Sequence, residues 1–493
     1  MRVTHLFFPR FAFVFFSALV LAACGGHKSP TGKPALEMQS CRLDGVPVES
    51  RCGKLEVFEN RQTNSGRKIA LNIAVIPSVS PNPQADPIVF FAGGPGQAAV
   101  KLSHGAFQIL HKARREREIV LVDQRGTGKS NPLDCIDKDK KLSLAEKLAD
   151  SRSPQFMQAC LKKLDAAPEH YTTPNAVADM EDVRAALGYE KLNLWGISYG
   201  TRMALSYMRA QPQHVRSAVL DGVAPTAIKL PLHAARDAQT ALQRTIDDCM
   251  KITACKNFSP ELQQDLFKLS AALEKSPVKI NLNDPATNEK TEVEINQRTF
   301  VSSLRSILYR ADYASLLPLT LAEAKKGNYA PLIAQSTAFS SGLEESLSLG
   351  MFMSVICSED VPLIGKDEIL NQANPLFHAD MFDSVLNTCP VWPKGKIPPE
   401  HAEPVKSDIP VLLLSGALDP ATPPLWGDLV AKTLSRSKHV VAENLSHSVS
   451  QHGCFPQLMA DFFKAGNADK LEVACVKNIP RPAFFTNFSG PPS

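Results

Sequence analysis

Residues 192–205 read LNLWGISYGTRMAL: an alternating apolar run breaks into Gly196-Ile197-Ser198-Tyr199-Gly200, and a helical pattern begins at once. A strand that turns directly into a helix through G-x-S-x-G reads as a nucleophile elbow. The strained corner lifts the serine Oγ clear of its own backbone, and the glycines on either side remove clashes within the bend. Such a corner makes demands on the rest of the chain. An acid and then a histidine should follow in chain order, and a loop nearer the N-terminus should supply a second backbone N–H for an oxyanion.

The surrounding scaffold fits those demands. KIALNIAVIP (68–77), PIVFFAGGPG (87–96), EIVLVDQRG (118–126), KLNLWG (191–196) and SAVLDGV (217–223) read as strands, the later ones as short buried runs that hand over to loops. Between the third and fourth lies a predicted helix with Thr173 as N-cap, Pro174 in its first turn and Gly188 at its end. The pattern returns in IPVLLLSGALDP (409–420), a helix near 424–435, the strand KHVVAEN (438–444) and a helix over 456–465. Strands alternating with helices predict an α/β fold with a mostly parallel sheet. At 493 residues the chain exceeds the usual size of one core. Residues 41–225 and 406–493 are assigned to the two parts of that core, and 226–405 to an inserted, mostly helical lid with a hairpin in 278–295.

Downstream of Ser198, Asp419 sits in SGALDPATPP just past an apolar strand, and His447 sits in NLSHSVSQHGC beyond the next one. The order is the required one. A serine hydroxyl is a poor nucleophile until a neutral imidazole takes its proton, and a carboxylate fixes the imidazole tautomer and stabilises the imidazolium. The oxyanion donors would be the N–H of Tyr199, which follows the nucleophile, and that of Gly94 in AGGPG. His452, in QHGC, is the rival for the histidine role.

GGPG (93–96), DQRGTGKS (123–130), WGISYGT (195–201), LDGV (220–223) and the cysteine-bearing C-terminal segment together resemble the α/β-hydrolase family of prolyl aminopeptidases. The secreted tripeptidyl-aminopeptidase-like branch is the nearer likeness, and it spans residues 41–478. The resemblance implies an α/β-hydrolase fold and a serine exopeptidase that takes peptide substrates from a free N-terminus through an acyl-enzyme. It also assigns the histidine role to His447, whose spacing to the following Gly-Cys matches the family, and gives Asp123 and Arg125 a structural role beside the site. Two departures stand out: Ala92 replaces a histidine common before the glycines, and LSHSVS replaces a Gly-His-Gly setting. A phosphate-binding loop is excluded for DQRGTGKS, because Asp123 occupies the position of the first glycine that such a loop needs. A carboxylesterase or lipase on the same triad is the alternative, and an inactive binding lipoprotein the third reading. The acidic CSED (357–360) favours the peptidase, with Glu359 first and Asp360 second expected to meet the substrate's ammonium.

The formal charge of +4 and the mixed signs of HKARRERE (111–118) give no footprint for a nucleic-acid partner. Arg2 and Arg10 flank the apolar run 11–21, which suits a secretion signal, and LAAC (21–24) resembles a bacterial lipobox. Residues 1–23 are therefore expected to be a lipoprotein signal peptide, Cys24 the acylated residue and 24–40 a flexible tether. An exported protein anchored by lipid to a bacterial envelope membrane follows. Of eleven cysteines, ten remain after Cys24. An even number in an exported chain predicts disulfides, and the short intervals favour sequence neighbours: Cys41–Cys52, Cys135–Cys160, Cys249–Cys255, Cys357–Cys389 and Cys454–Cys475. No C-x-x-C pair occurs, so neither a metal nor another cofactor is expected.

Overall fold

The apolar runs become strands, and their alternation decides which face each side chain joins. In the computed structural model, which describes residues 1, 36–136, 143–148, 153–284, 288–370, 376–377 and 380–491, the strands are β1 (Met38–Cys41), β2 (Ser50–Phe58), β3 (Lys68–Ile76), β4 (Ile88–Phe91), β5 (Ile119–Val122), β6 (Leu192–Ile197), β7 (Val215–Asp221), β8 (Val278–Asn283), β9 (Lys290–Ile295), β10 (Val411–Gly416) and β11 (Ser437–Ala442). Nine of them form one sheet in the order β1-β2-β3-β5-β4-β6-β7-β10-β11. From β5 to β11 every neighbour is parallel. The first three strands pair antiparallel and join the rest through β3 and β5.

Residues two apart share a face of a strand, and the core follows that rule. Val89, Phe91, Leu194 and Leu413 pack with Val177, Met180 and Val183 of the helix Thr173–Leu187 and with Met203 and Tyr207 of the helix Tyr199–Ala210. Ile88, Phe90, Trp195 and Leu412 face the other side, against Phe455, Met459, Phe462 and Phe463 of the helix Phe455–Ala465. A sheet covered on both faces needs apolar residues at successive positions, which is why β4 and β10 are buried along their whole length.

Strands β1 and β2 have no counterpart among the predicted elements. β2 carries Arg51, Lys54 and Glu56 and is only partly buried, so its sequence lacks the apolar signal of its neighbours. The Cys41–Cys52 disulfide ties it to the edge strand β1. The described residues hold four more bridges, Cys135–Cys160, Cys249–Cys255, Cys357–Cys389 and Cys454–Cys475.

Between β7 and β10 the chain runs through the helices Ala234–Lys251, Leu262–Lys275, Gln297–Leu308 and Ala330–Ser346, with the hairpin β8–β9 between the second and third. This stretch has its own apolar core, which includes Leu242, Ile246, Phe300, Leu304 and Leu332. Among the described residues no helix is long and apolar enough to cross a membrane. Apart from Met1, the predicted signal peptide lies outside the described residues, as do Cys24 and the predicted tether up to residue 35; the tether's predicted end at residue 40 is corrected, because Met38, Gln39 and Ser40 pair with β2 as part of β1.

Candidate active site

Ser198 ends β6 and opens the helix Tyr199–Ala210 with φ 57° and ψ −124°. A non-glycine residue held at positive φ is strained, and the surroundings fix it there. The flanking glycines are required by space. A Cβ at Gly196 would lie 2.4 Å from the carbonyl oxygen of Gly200, and one at Gly200 would lie 2.0 Å from that of Phe91. The Ser198 N–H donates to Asp221 O at 2.9 Å, so it is already engaged. The N–H of Tyr199, in the first turn of its helix, has no acceptor within that helix.

The glycine loop after β4 closes on the serine. A Cβ at Gly93 would come within 3.2 Å of Ser198 Cβ, and Gly94, at φ +106°, borders the same cavity as Ser198. The loop is held from across that cavity: Ser348 N donates to Gly96 O at 2.9 Å, and Ala98 N to Ser346 O at 3.1 Å.

Asp419 follows β10 and is buried. Its Oδ1 accepts from Ala421 N and Thr422 N, both at 2.8 Å, and its Oδ2 accepts from Thr422 Oγ1 and His447 Nδ1, both also at 2.8 Å. Burial pushes the Asp419 carboxyl up, but His447 and these donors outweigh it and hold it below the ordinary range. Burial pushes His447 down, and Asp419, with help from Asp221, outweighs that and raises it. With Nδ1 committed to Asp419, Nε2 is the nitrogen left for a reacting group. His447 lines the cavity of about 500 Å³ that also holds Ser198.

The loop carrying His447 is pinned. Asp221, at the end of β7, accepts Val449 N at 2.9 Å and Ser450 N at 2.8 Å on its two oxygens. Tyr309 packs edge-on against the imidazole, with ring centroids 5.1 Å apart and planes at 78°. Among the described residues no carboxylate hydrogen-bonds to His452, although Asp312 acts on it electrostatically. It borders a second cavity, of about 490 Å³, on another side of His447. The acid therefore pairs with His447 and not with its rival.

Glu359 and Asp360 do not face the cavity, and this corrects the expectation that they would meet the substrate. Both lie buried on a π-helical turn, Ile356–Asp360. Glu359 accepts Thr173 N at 2.6 Å, Thr173 Oγ1 at 2.8 Å and His401 Nε2 at 3.0 Å. It thus serves the N-terminus of the helix Thr173–Leu187, where backbone donors lack intrahelical acceptors and the dipole favours a negative charge. The N-cap falls at Thr172 instead of the predicted Thr173, whose N–H and hydroxyl are given to Glu359. Asp360 holds Arg202 in a fork, at 3.0 and 2.9 Å. Each carboxylate is taken by partners the sequence does not reveal.

Asp123 accepts Val100 N, Asn72 Nδ2 and Lys129 N, and Arg125, fully buried, forks onto Asp179. Asp123 ties the loop after β5 to the stretch that follows the glycine segment, and Arg125 ties that loop to the helix Thr173–Leu187 and the end of β2. Four residues escaped the sequence reading: Thr422, Tyr309, Asp237 and Arg305. Only Thr422 had a local signal, since a hydroxyl three residues after Asp419 can bond back to it. The other three come from helices of the insertion and reach the cavity only through the fold.

A parallel sheet with helices on both faces, carrying a serine on a strand-to-helix elbow beside a histidine–carboxylate pair, defines an α/β hydrolase, and the chain belongs to that family: the alpha/beta hydrolase fold model matches residues 86–450. The chain is similar to the serine protease Hip1 of Mycobacterium tuberculosis, 26% identical over 500 residues that cover 93% of this chain and 95% of that one. It is also 26% identical to the tripeptidyl aminopeptidase of Streptomyces lividans, over 270 residues that cover half of each chain. Among solved structures, a proline iminopeptidase from Mycobacterium smegmatis aligns with a TM-score of 0.40 and 16% identity, over 84% of this chain and 98% of that one.

Proposed function

We propose that the chain is a serine exopeptidase that hydrolyses peptides from a free N-terminus through an acyl-enzyme formed on Ser198. The observation that carries the proposal is that Ser198 and the Asp419-bonded His447 open into one cavity. His447 Nε2 takes the serine proton as Oγ attacks the scissile carbonyl, Asp419 stabilises the imidazolium, and the proton passes to the leaving amine. The N–H groups of Tyr199 and Gly94 receive the oxyanion. Water then repeats the sequence on the acyl-enzyme.

The substrate class is supported by the relatives' names, and the end specificity by Asp237. Among the described residues lining the cavity, Asp237 is the one carboxylate. Burial raises it, although Trp426 Nε1 at 2.9 Å and Arg236 at 2.8 Å bond to it. An arriving ammonium would relieve that penalty, while a blocked N-terminus would leave it in place. We read the helical segment between β7 and β10 as the lid that excludes internal peptide segments. The disulfides fit an oxidising compartment, and acylation of Cys24 would tether the enzyme to the envelope.

The test is to label the protein with a fluorophosphonate and then profile it against matched free and N-acetylated peptides. Labelling that is lost in Ser198→Ala, with faster release from the free peptides, is expected. Equal turnover of both peptide sets would move the reading to a general esterase, and labelling that survives Ser198→Ala would remove the nucleophile assignment.

A further inference from the structure

The helix Gln297–Leu308 brings Arg305 to the cavity one turn before Tyr309, the residue packed on His447. Positions four apart share a helical face, so the two side chains act together. Arg305 Nη2 donates to Tyr309 Oη at 3.0 Å, and the guanidinium carbon stands 5.2 Å from the Tyr309 ring centroid. Its Nε is buried and has no acceptor. Among the described residues no carboxylate pairs with it, whereas Arg202 and Arg236 nearby hold Asp360 and Asp237. Arg305 is also the one fixed cation among the described residues lining the cavity. Its charge reaches His447, whose protonation it opposes.

A guanidinium presents a planar fork of donors that fits a carboxylate at two points, and a buried donor without an acceptor is costly to keep. The cavity that Ser198 lines therefore also carries, on the helix Gln297–Leu308, a guanidinium whose buried Nε donor has no acceptor among the described residues. We infer that Arg305 pairs with a carboxylate of the substrate and makes the enzyme prefer acidic peptides. The inference rests on the peptidase reading for the kind of molecule that brings the carboxylate. That carboxylate comes either from an Asp or Glu side chain beside the scissile bond or from the C-terminus of a short peptide. With Asp237 lining the same cavity, the pocket offers one pole for an ammonium and one for a carboxylate.

The test measures kcat/KM for peptide pairs differing only in Glu against Gln beside the scissile bond, each with a free or an amidated C-terminus. A parallel pair of 4-nitrophenyl esters, the hemiglutarate and the butyrate, removes the peptide from the question. The expected result is an advantage of about tenfold or more for the carboxylate-bearing member, the scale of one net hydrogen bond to a charged group. Preference for Glu with an amidated end assigns a side chain; preference only for a free end assigns the C-terminus. In Arg305→Gln the acid-to-neutral ratio should fall to near one, in Arg305→Lys part of it should survive, and in Arg305→Glu it should invert. A wild-type ratio near one in every pair overturns the inference while leaving the hydrolase intact. So does an equal loss on acidic and neutral substrates in Arg305→Gln, because that reports a role through Tyr309 alone. An acid preference confined to the esters, with no peptide cleaved, keeps Arg305 and removes the peptidase reading. No turnover of either class overturns both.

Discussion

In the proposed mechanism Ser198, His447 and Asp419 act as a unit, so the loss of any one should remove most of what all three provide. Ser198→Ala should abolish turnover with the melting temperature unchanged, and Asp419→Asn should lower kcat by about 10⁴. His452→Ala should remain active, since the acid bonds to His447. The pH profile carries a sign. Asp419 holds His447 above its ordinary value, and only the neutral imidazole accepts the serine proton, so kcat/KM falls as pH drops through that raised pKa. Replacing Asp419 by Asn removes the charge that raises it, and the acid limb of the residual activity should move to lower pH. A limb that stays in place would show that Asp419 does not set the titration. Asp237→Asn should narrow the advantage of free over N-acetylated peptides and act mainly on KM. The elbow at Ser198 was legible in the sequence because such a turn has a fixed local pattern, and the Asp419–His447 pair because chain order and strand ends confine it. Glu359 misled because a sequence gives a carboxylate's charge and place along the chain, while its partners Thr173 and His401 come from distant segments.

At the scale of elements, the same carboxylate becomes a joint between the helix Thr173–Leu187, the π-helical turn and the 3₁₀ turn Pro399–Ala402 that carries His401. Burial pushes Glu359 up, but His401, Arg202 and Thr173 outweigh it and hold it ionised. Removing one member of such a buried set strands the others. Glu359→Gln should cost about 3 kcal/mol of stability, measured by denaturant unfolding, and should affect free and acetylated peptides alike. Glycines divide in the same way. Gly200→Ala forces a methyl to 2.0 Å from Phe91 O and should destabilise by about 3 kcal/mol or more, or prevent folding. Gly105, exposed in the helix Ser103–Ile109, has open space around its Cβ position, so Gly105→Ala should stabilise by about 1 kcal/mol. The parallel strands could be placed from sequence because burial on both faces writes continuous apolar runs. β1 and β2 could not, because a half-exposed edge hairpin held by a disulfide needs no such run.

For the molecule as a whole, the segment between β7 and β10 carries two internal cross-links, Cys249–Cys255 and Cys357–Cys389. In the chain-entropy account, a bridge stabilises by restricting the unfolded chain, and more so for a longer loop. Cys357–Cys389 spans 32 residues and packs against Trp392 and Met353, next to the π-helical turn that carries Glu359. Cys249–Cys255 spans 6 residues and only joins two consecutive helices. Loop closure alone gives about 3.7 kcal/mol for the first and about 2.2 kcal/mol for the second. Replacing each pair by serines should therefore lower stability more at Cys357–Cys389, and the local consequence should differ in kind. Loss of that bridge loosens the turn that supplies Glu359 and Asp360 to the elbow's own helix and its neighbour, so catalysis should fall before the fold melts. Loss at Cys249–Cys255 should leave kcat/KM unchanged up to the melting transition. Unfolding curves and activity recorded on the same temperature ramp separate the two, and a double-serine protein at 357 and 389 whose activity tracks its unfolding curve would show that the bridge stabilises without positioning the site.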